Sequence, residues 1–105
     1  AFSNTSGVKH FFIFGDMTGT SSLILNKNTS IIKVNTLTVN KFVGRNNIKN
    51  ILFVKSDTEG YDFSVIKGAK KSFNNKIIDF WQFEYNNRWI DTRHYLEDVF
   101  NFFER

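Results

Sequence analysis

Apolar positions along this chain fall into short runs separated by polar, Asn- and Lys-rich stretches, and their period changes from run to run. Val8 to Phe14 is apolar and aromatic without a helical repeat and stops at Gly15, which predicts a strand. Asp16 to Ser30 is small and polar around Leu23-Ile24-Leu25, which predicts a loop with at most a short strand. Ile31 to Leu37 alternates loosely and is β-branched, which predicts a second strand. Val39, Phe42 and Val43 have helical spacing, and Gly44 is placed to end that helix. Ile51 to Ser56 is almost continuously apolar, as expected of a strand covered by helices on both faces.

After Gly60 the period becomes helical. Phe63, Val65, Ile66 and Ala69 predict a buried side, with Asp62, Lys67 and Lys70 toward water. Lys67 would then lie in the last turn, where a cation suits the helix dipole, and Gly68 would cap in the left-handed conformation. Asn74-Asn75 marks a turn, and Ile77 to Phe83 predicts a second buried strand, ending on Glu84. Asp91 or Thr92 would cap a final helix whose apolar stripe is Leu96, Val99, Phe100 and Phe103. Strand–helix–strand–helix is the pattern of an α/β fold with a parallel sheet and right-handed crossovers.

Composition narrows the chemistry. The 105 residues make one domain or part of one, and 41% apolar content with 13 Phe can furnish a core. No Cys is present, which excludes disulfides, thiol nucleophiles and thiolate-bound metal. His10 and His94 are the only imidazoles, and no carboxylate–His set has metal-ligand spacing, so no metal is expected. No apolar run reaches the ~20 residues needed to cross a bilayer, and no leader pattern is seen; the expected location is the cytoplasm. Asn4-Thr5-Ser6 and Asn28-Thr29-Ser30 read as chance glycosylation sequons. The net charge of +4 is mild, and its lysines read as solvated helix faces, so no nucleic-acid partner is expected.

The informative segment is Leu52 to Ala69. An apolar strand stops at two carboxylates one residue apart, Asp57 and Glu59, then Gly60 opens a helix. Ligands of open α/β sheets bind just outside the carboxyl ends of strands, where this turn sits. Glu84 and Asn86 follow the next parallel strand and could reach the same cleft. Tyr61, Trp81, Tyr85 and Trp89 could wall a sugar-like or planar ligand, or could be core.

The run Val54-Lys55-Ser56-Asp57-Thr58-Glu59-Gly60, closed by Val65-Ile66-Lys67-Gly68-Ala69, resembles the hallmark of the FkbM family of S-adenosylmethionine-dependent methyltransferases. Thr36-Leu37-Thr38, the strand ending Gln82-Phe83-Glu84, and the opening Ala1-Phe2-Ser3-Asn4-Thr5-Ser6-Gly7 resemble flanking family features in the family's order. Thr38 departs from the usual Asp, and Ser56 from an apolar strand residue, a hydroxyl expected to be satisfied by backbone. The resemblance implies a partial Rossmann-like class I methyltransferase fold, mainly parallel with an added β-hairpin. Residues 1–105 would be the C-terminal part of one domain, with the cofactor-loop portion upstream; Gly15 to Thr20 is a poor substitute for that loop.

The implied activity is O-methylation of a small molecule or glycan with S-adenosylmethionine. Ala1, Ser3 and Asp57 would contact the cofactor, Asp57 and Glu59 would act in catalysis, and Tyr61, Glu84 and Asn86 would hold the acceptor. A carboxylate pressed on the sulfonium would stabilise the ground state more than the transition state. It is better used to orient the cofactor's ammonium or to take a proton from the acceptor. The rival expectation is a non-catalytic α/β binding module, a truncated or degenerate relative. Oligomeric state is not legible.

Overall fold

The computed structural model describes residues 1–13 and 30–104. The expected short strand at Leu23–Leu25, the Gly15–Thr20 segment and the sequon at Asn28 lie outside the described residues. Two antiparallel strands, β1 (Gly7–Ile13) and β2 (Ser30–Thr36), form the hairpin, paired from Gly7↔Thr36 to Ile13↔Ser30. Helix α1 (Val39–Arg45) follows, and Thr38 is its N-cap: the Oγ1 accepts from the Lys41 amide at 3.1 Å. The Thr38 hydroxyl therefore satisfies one of the four unpaired amides of a helix start.

Strand β3 (Ile51–Ser56) and strand β4 (Ile78–Phe83) pair in parallel, in register from Ile51↔Ile78 to Ser56↔Phe83. The crossover between them carries two short helices, α2 (Asp62–Lys67) and α3 (Lys70–Asn74). A 3-10 segment (Asn87–Thr92) and α4 (Leu96–Glu104) complete the chain. The molecule is α/β, as expected, but the parallel part is the β3–β4 pair and the hairpin is a separate sheet, so the sheet is not mainly parallel among the described residues. Residues 1–3 lie beside the end of the hairpin: Ser3 N donates to Leu37 O at 3.0 Å and Leu37 N to Ala1 O at 2.9 Å.

Two apolar clusters hold the helices to the strands. Val39 and Val43 of α1 meet Val65, Ala69 and Ile78, with Val54 and Trp81 packed against them. Phe63, Ile66, Trp89 and Val99 form the second, with Phe102 beside it. Full burial of one such side chain contributes about 1.5–3 kcal/mol.

Several expectations are corrected here. Lys67-Gly68 does not end the helical region with a left-handed cap. Gly68 has φ −68, an ordinary right-handed value, and is followed by α3. Glycine stands there because a Cβ would fall on the Ser3 carbonyl oxygen, a backbone atom that cannot swing away. Asp62 does not face water but is fully buried, held by Thr58. The last helix is not capped by Asp91 or Thr92. Those residues close the 3-10 segment, Arg93 turns the chain at φ 55, and the Asp98 carboxylate accepts from Tyr95 N at 2.7 Å. Phe100 of the expected stripe is 60% exposed, while Phe102 packs on the cluster in its place. The strands are not covered on both faces: Val54 and Trp81 meet the helices, but Phe53 and Phe80, partners on the opposite face, are largely exposed.

Candidate active site at the carboxyl ends of the parallel strands

In-register parallel strands end at one level. Ser56 and Phe83 are Cα partners, so the residues that follow them, Asp57 and Glu84, emerge on the same rim. Glu59 joins them from the turn, where its φ of 53 reverses the chain. One carboxylate oxygen from each of Asp57, Glu59 and Glu84 lies within 4.8 Å of the others. The convergence expected from sequence is what the structure shows for these three. Acidic groups at an open rim meet in this way with or without an ion, so the absence of a metal stays an expectation.

Like charges this close favour keeping a proton. A hydrogen bond with Asp57 raises the Glu84 carboxyl above its ordinary value, the charges of Asp57 and Glu59 add to the rise, and the Asn86 amide opposes it. Glu84 therefore keeps its proton to a higher pH than an ordinary exposed carboxyl, beside the oxygens with which an acceptor would bond.

The turn is built to hold this rim. Asp62 Oδ2 accepts from the Thr58 hydroxyl at 2.8 Å and from its amide at 3.3 Å. Asp62 Oδ1 is buried with no hydrogen-bond partner among the described residues. Gly60 has φ 97, and a Cβ there would come within 2.7 Å of the Arg88 backbone, so only glycine lets the turn lie against the 3-10 segment. Thr92 Oγ1 donates to Trp89 O at 2.9 Å and lies 3.3 Å from Gly60 O, against the turn. Asn86 caps the same segment: its Oδ1 accepts from Arg88 N at 3.0 Å. Its carbonyl oxygen is thus committed to the backbone, leaving its amide for Glu84 or an acceptor.

Behind the rim lies a cavity of about 510 Å³ lined mainly by apolar side chains, among them Phe2, Phe42, Val54 and Trp81, and reaching Ser56, Asp57, Thr58 and Tyr61. The Ser56 hydroxyl, expected to bond backbone, instead accepts from the Trp81 indole N–H at 3.0 Å. Ala1 and Asp57 line the cavity. Ser3 is fully buried and its hydroxyl is taken up by Asn4 and Tyr61, so it does not line the cavity. Of the candidate aromatic wall, Trp89 is core: it is fully buried and donates to Glu84 O at 2.9 Å. That bond fixes the main chain from which the Glu84 side chain leaves. His94, expected on the surface, is half-buried, edge-on to Phe63 with its Nε2 3.1 Å from Lys67 Nζ.

Sequence reasoning missed two side chains. Asp62 looked solvent-facing by helical period; the signal that could have found it is Thr58 four residues earlier, across a turn. Lys9 carried no signal at all, being one basic residue in an apolar strand. It reaches over the hairpin to donate to Tyr61 Oη at 3.0 Å.

The family model of the methyltransferase FkbM domain matches residues 3–105. The chain belongs to the FkbM methyltransferase family. Searches of curated proteins and of solved structures give no match. The FkbM match spans the hairpin, the carboxylate rim and the final helix, so each element described above falls within one methyltransferase domain family. Among the described residues, no helix is long and apolar enough to cross a membrane.

Proposed function

We propose that this FkbM-family chain takes part in methyl transfer from S-adenosylmethionine to an oxygen of a small molecule or glycan, as part of a Rossmann-like class I domain. The observation that carries this reading is the convergence of Asp57, Glu59 and Glu84 at the carboxyl ends of β3 and β4, beside an apolar cavity that ends at Asp57. The cavity's lining fits an aromatic, weakly polar group, and its acidic end fits a cation. Ala1 and Asp57 are the residues that would hold the cofactor. When bound, that group supplies an activated methyl on a positively charged sulfur.

This chain's own contribution is placement and proton handling. Asp57 and Glu84 hold the acceptor hydroxyl by hydrogen bonds, and Asn86 can add a donor. Glu59, reversed at the turn, keeps the rim anionic and orders the acceptor's remaining hydroxyls. The apolar wall formed by Phe2, Phe42, Val54 and Trp81 excludes water, so that the bound acceptor meets no competing nucleophile. Holding the two reacting atoms at near-attack distance supplies much of the rate.

The test is a methyl-transfer assay comparing Asp57→Asn with Lys70→Ala in the full-length protein. Asn keeps the volume of Asp57 but lacks its charge, and losing the charged hydrogen bond that holds the acceptor hydroxyl lowers turnover by ~10–100-fold. Lys70 is exposed on α3, its ammonium 5.6 Å from the Phe102 ring centre, and its loss should leave turnover within about twofold. Equal turnover by Asp57→Asn and wild type, at equal melting temperature, would leave Asp57 as a turn residue.

A further inference from the structure

The hydroxyl of Tyr61 is held by residues from two distant parts of the chain. Lys9 Nζ, from β1, donates to it at 3.0 Å, and Ser3 Oγ lies 3.0 Å away. The direction of the second bond can be worked out. Ser3 has one hydroxyl proton and gives it to Asn4 Oδ1 at 3.1 Å, so Ser3 Oγ accepts from the phenol. The phenol oxygen therefore accepts from an ammonium while its proton is drawn toward a buried hydroxyl. The Lys9 contact favours the phenolate over the phenol, and the Ser3 contact does so when the Ser3 hydroxyl turns its proton from Asn4 Oδ1 to the phenol oxygen.

The Lys9 ammonium is also 5.7 Å from the centre of the Tyr61 ring. Burial alone would raise the phenol; the hydrogen bonds from Lys9 and Ser3, the Lys9 charge and a further bond to Ser64 outweigh it, and the net shift is downward. Tyr61 also lines the cavity together with Asp57. The contact is additional to those that close each element: the hairpin is paired along its length, and the turn is closed by Asp62 and Gly60.

Resting on the methyltransferase reading above, we propose that Tyr61 is the group that takes the proton of the acceptor hydroxyl, and that Lys9 is its positioning residue. In this step the acceptor's O–H bond breaks and its oxygen forms a bond to the methyl carbon of a methyl-sulfonium donor. The proton passes to the Tyr61 phenolate, which becomes the phenol. The carbon–sulfur bond breaks and its electron pair returns to sulfur, leaving a neutral thioether. Lys9 keeps its proton throughout and stabilises the phenolate before the step. The carboxylates hold the acceptor, and the Tyr61 phenol, moved down from its ordinary value, shifts toward the working pH, where a general base is most effective.

Three variants of the full-length protein test it: Tyr61→Phe, Lys9→Met and Lys9→Arg. The first readout does not involve activity: ultraviolet difference titration, in which the phenolate band lost in Tyr61→Phe should titrate below the other tyrosines. Lys9→Met should move that band upward and Lys9→Arg should restore it. The second readout is the pH profile of methyl transfer at unchanged melting temperature. Tyr61→Phe should lower kcat by ~10²-fold or more, and Lys9→Met should shift the basic limb rightward, with KM for the donor little changed. Wild-type transfer matched by Tyr61→Phe across the profile overturns the assignment and leaves the methyltransferase reading intact. A Tyr61 band that titrates with the other tyrosines overturns it as well. A normal low-pH band with no methyl transfer by wild type overturns the reading on which the assignment rests.

Discussion

At the scale of single residues, the sharpest constraints are two glycines whose missing side chains decide where other parts of the chain can go. Gly60 admits the Arg88 backbone and also needs its positive φ, whereas Gly68 is conformationally ordinary and is constrained by contact alone. Gly68→Ala would bring a methyl group onto the Ser3 carbonyl oxygen, and neither backbone can yield without opening a helix end. Overpacking of this kind costs about 1–3 kcal/mol, and each kcal/mol lowers the melting temperature by roughly 4–8 °C in a domain of this size. Thermal unfolding followed by circular dichroism should show that loss, although Ala is the better helix former. A Gly68→Ala variant as stable as wild type would mean that the close approach of residues 1–3 does not persist in solution.

At the scale of elements, the strands and the turn were legible in sequence and the helix faces less so. Continuous apolar runs identify β3 and β4 because parallel strands joined by a helix must bury at least one face, and their shared direction follows from the crossover between them. The rim followed too, since the acids sit where the runs stop. Helical period failed at Asp62, because a carboxylate used to close a turn is buried for its hydrogen bonds whatever its position on the wheel. It failed again in α4, where a nine-residue helix against an aromatic cluster turns Phe102 inward and leaves Phe100 in water. Lys9 was invisible because its partner lies 52 residues away and no local pattern encodes such a contact.

The junction of α2 with the segment before α4 yields a pH effect. Burial lowers the His94 imidazole below its ordinary 6.5, the Lys67 charge lowers it further, and Asp98 pulls it up. A base whose folded value is depressed stabilises the fold above its unfolded value, and that contribution is lost as pH falls below 6.5 through the folded value. Melting temperature should therefore drop between about pH 7 and about pH 5 more steeply in wild type than in His94→Gln. Parallel curves would show that His94 titrates alike in both states.

At the scale of the whole molecule, burial is one-sided. The helices and the 3-10 segment meet the Val54–Trp81 face of the parallel pair, while Phe53 is 54% and Phe80 63% exposed on the other. Phe80→Gln should therefore change stability by no more than about 0.5 kcal/mol, whereas Phe63→Ala, at a site 6% exposed, should cost about 3–5 kcal/mol. Denaturant titration of the two variants compares the faces directly. A large loss on Phe80→Gln would mean that this face is covered in solution.

The contact between Ser3 and Gly68 also bears on how the chain comes into being. During synthesis residues 1–3 emerge before the strand–turn–helix against which Ser3 packs, so that part of their seat is missing until it has followed them out. The hairpin can zip early, because its partners are near in sequence by comparison. Residues 1–3 can pair with Leu37 beside the hairpin, but Ser3 is enclosed and reaches Tyr61 only when the helical crossover arrives. Ser3 is among the last of these residues to find its place, and the tyrosine's hydroxyl receives its full set of partners in the same act that locks the fold.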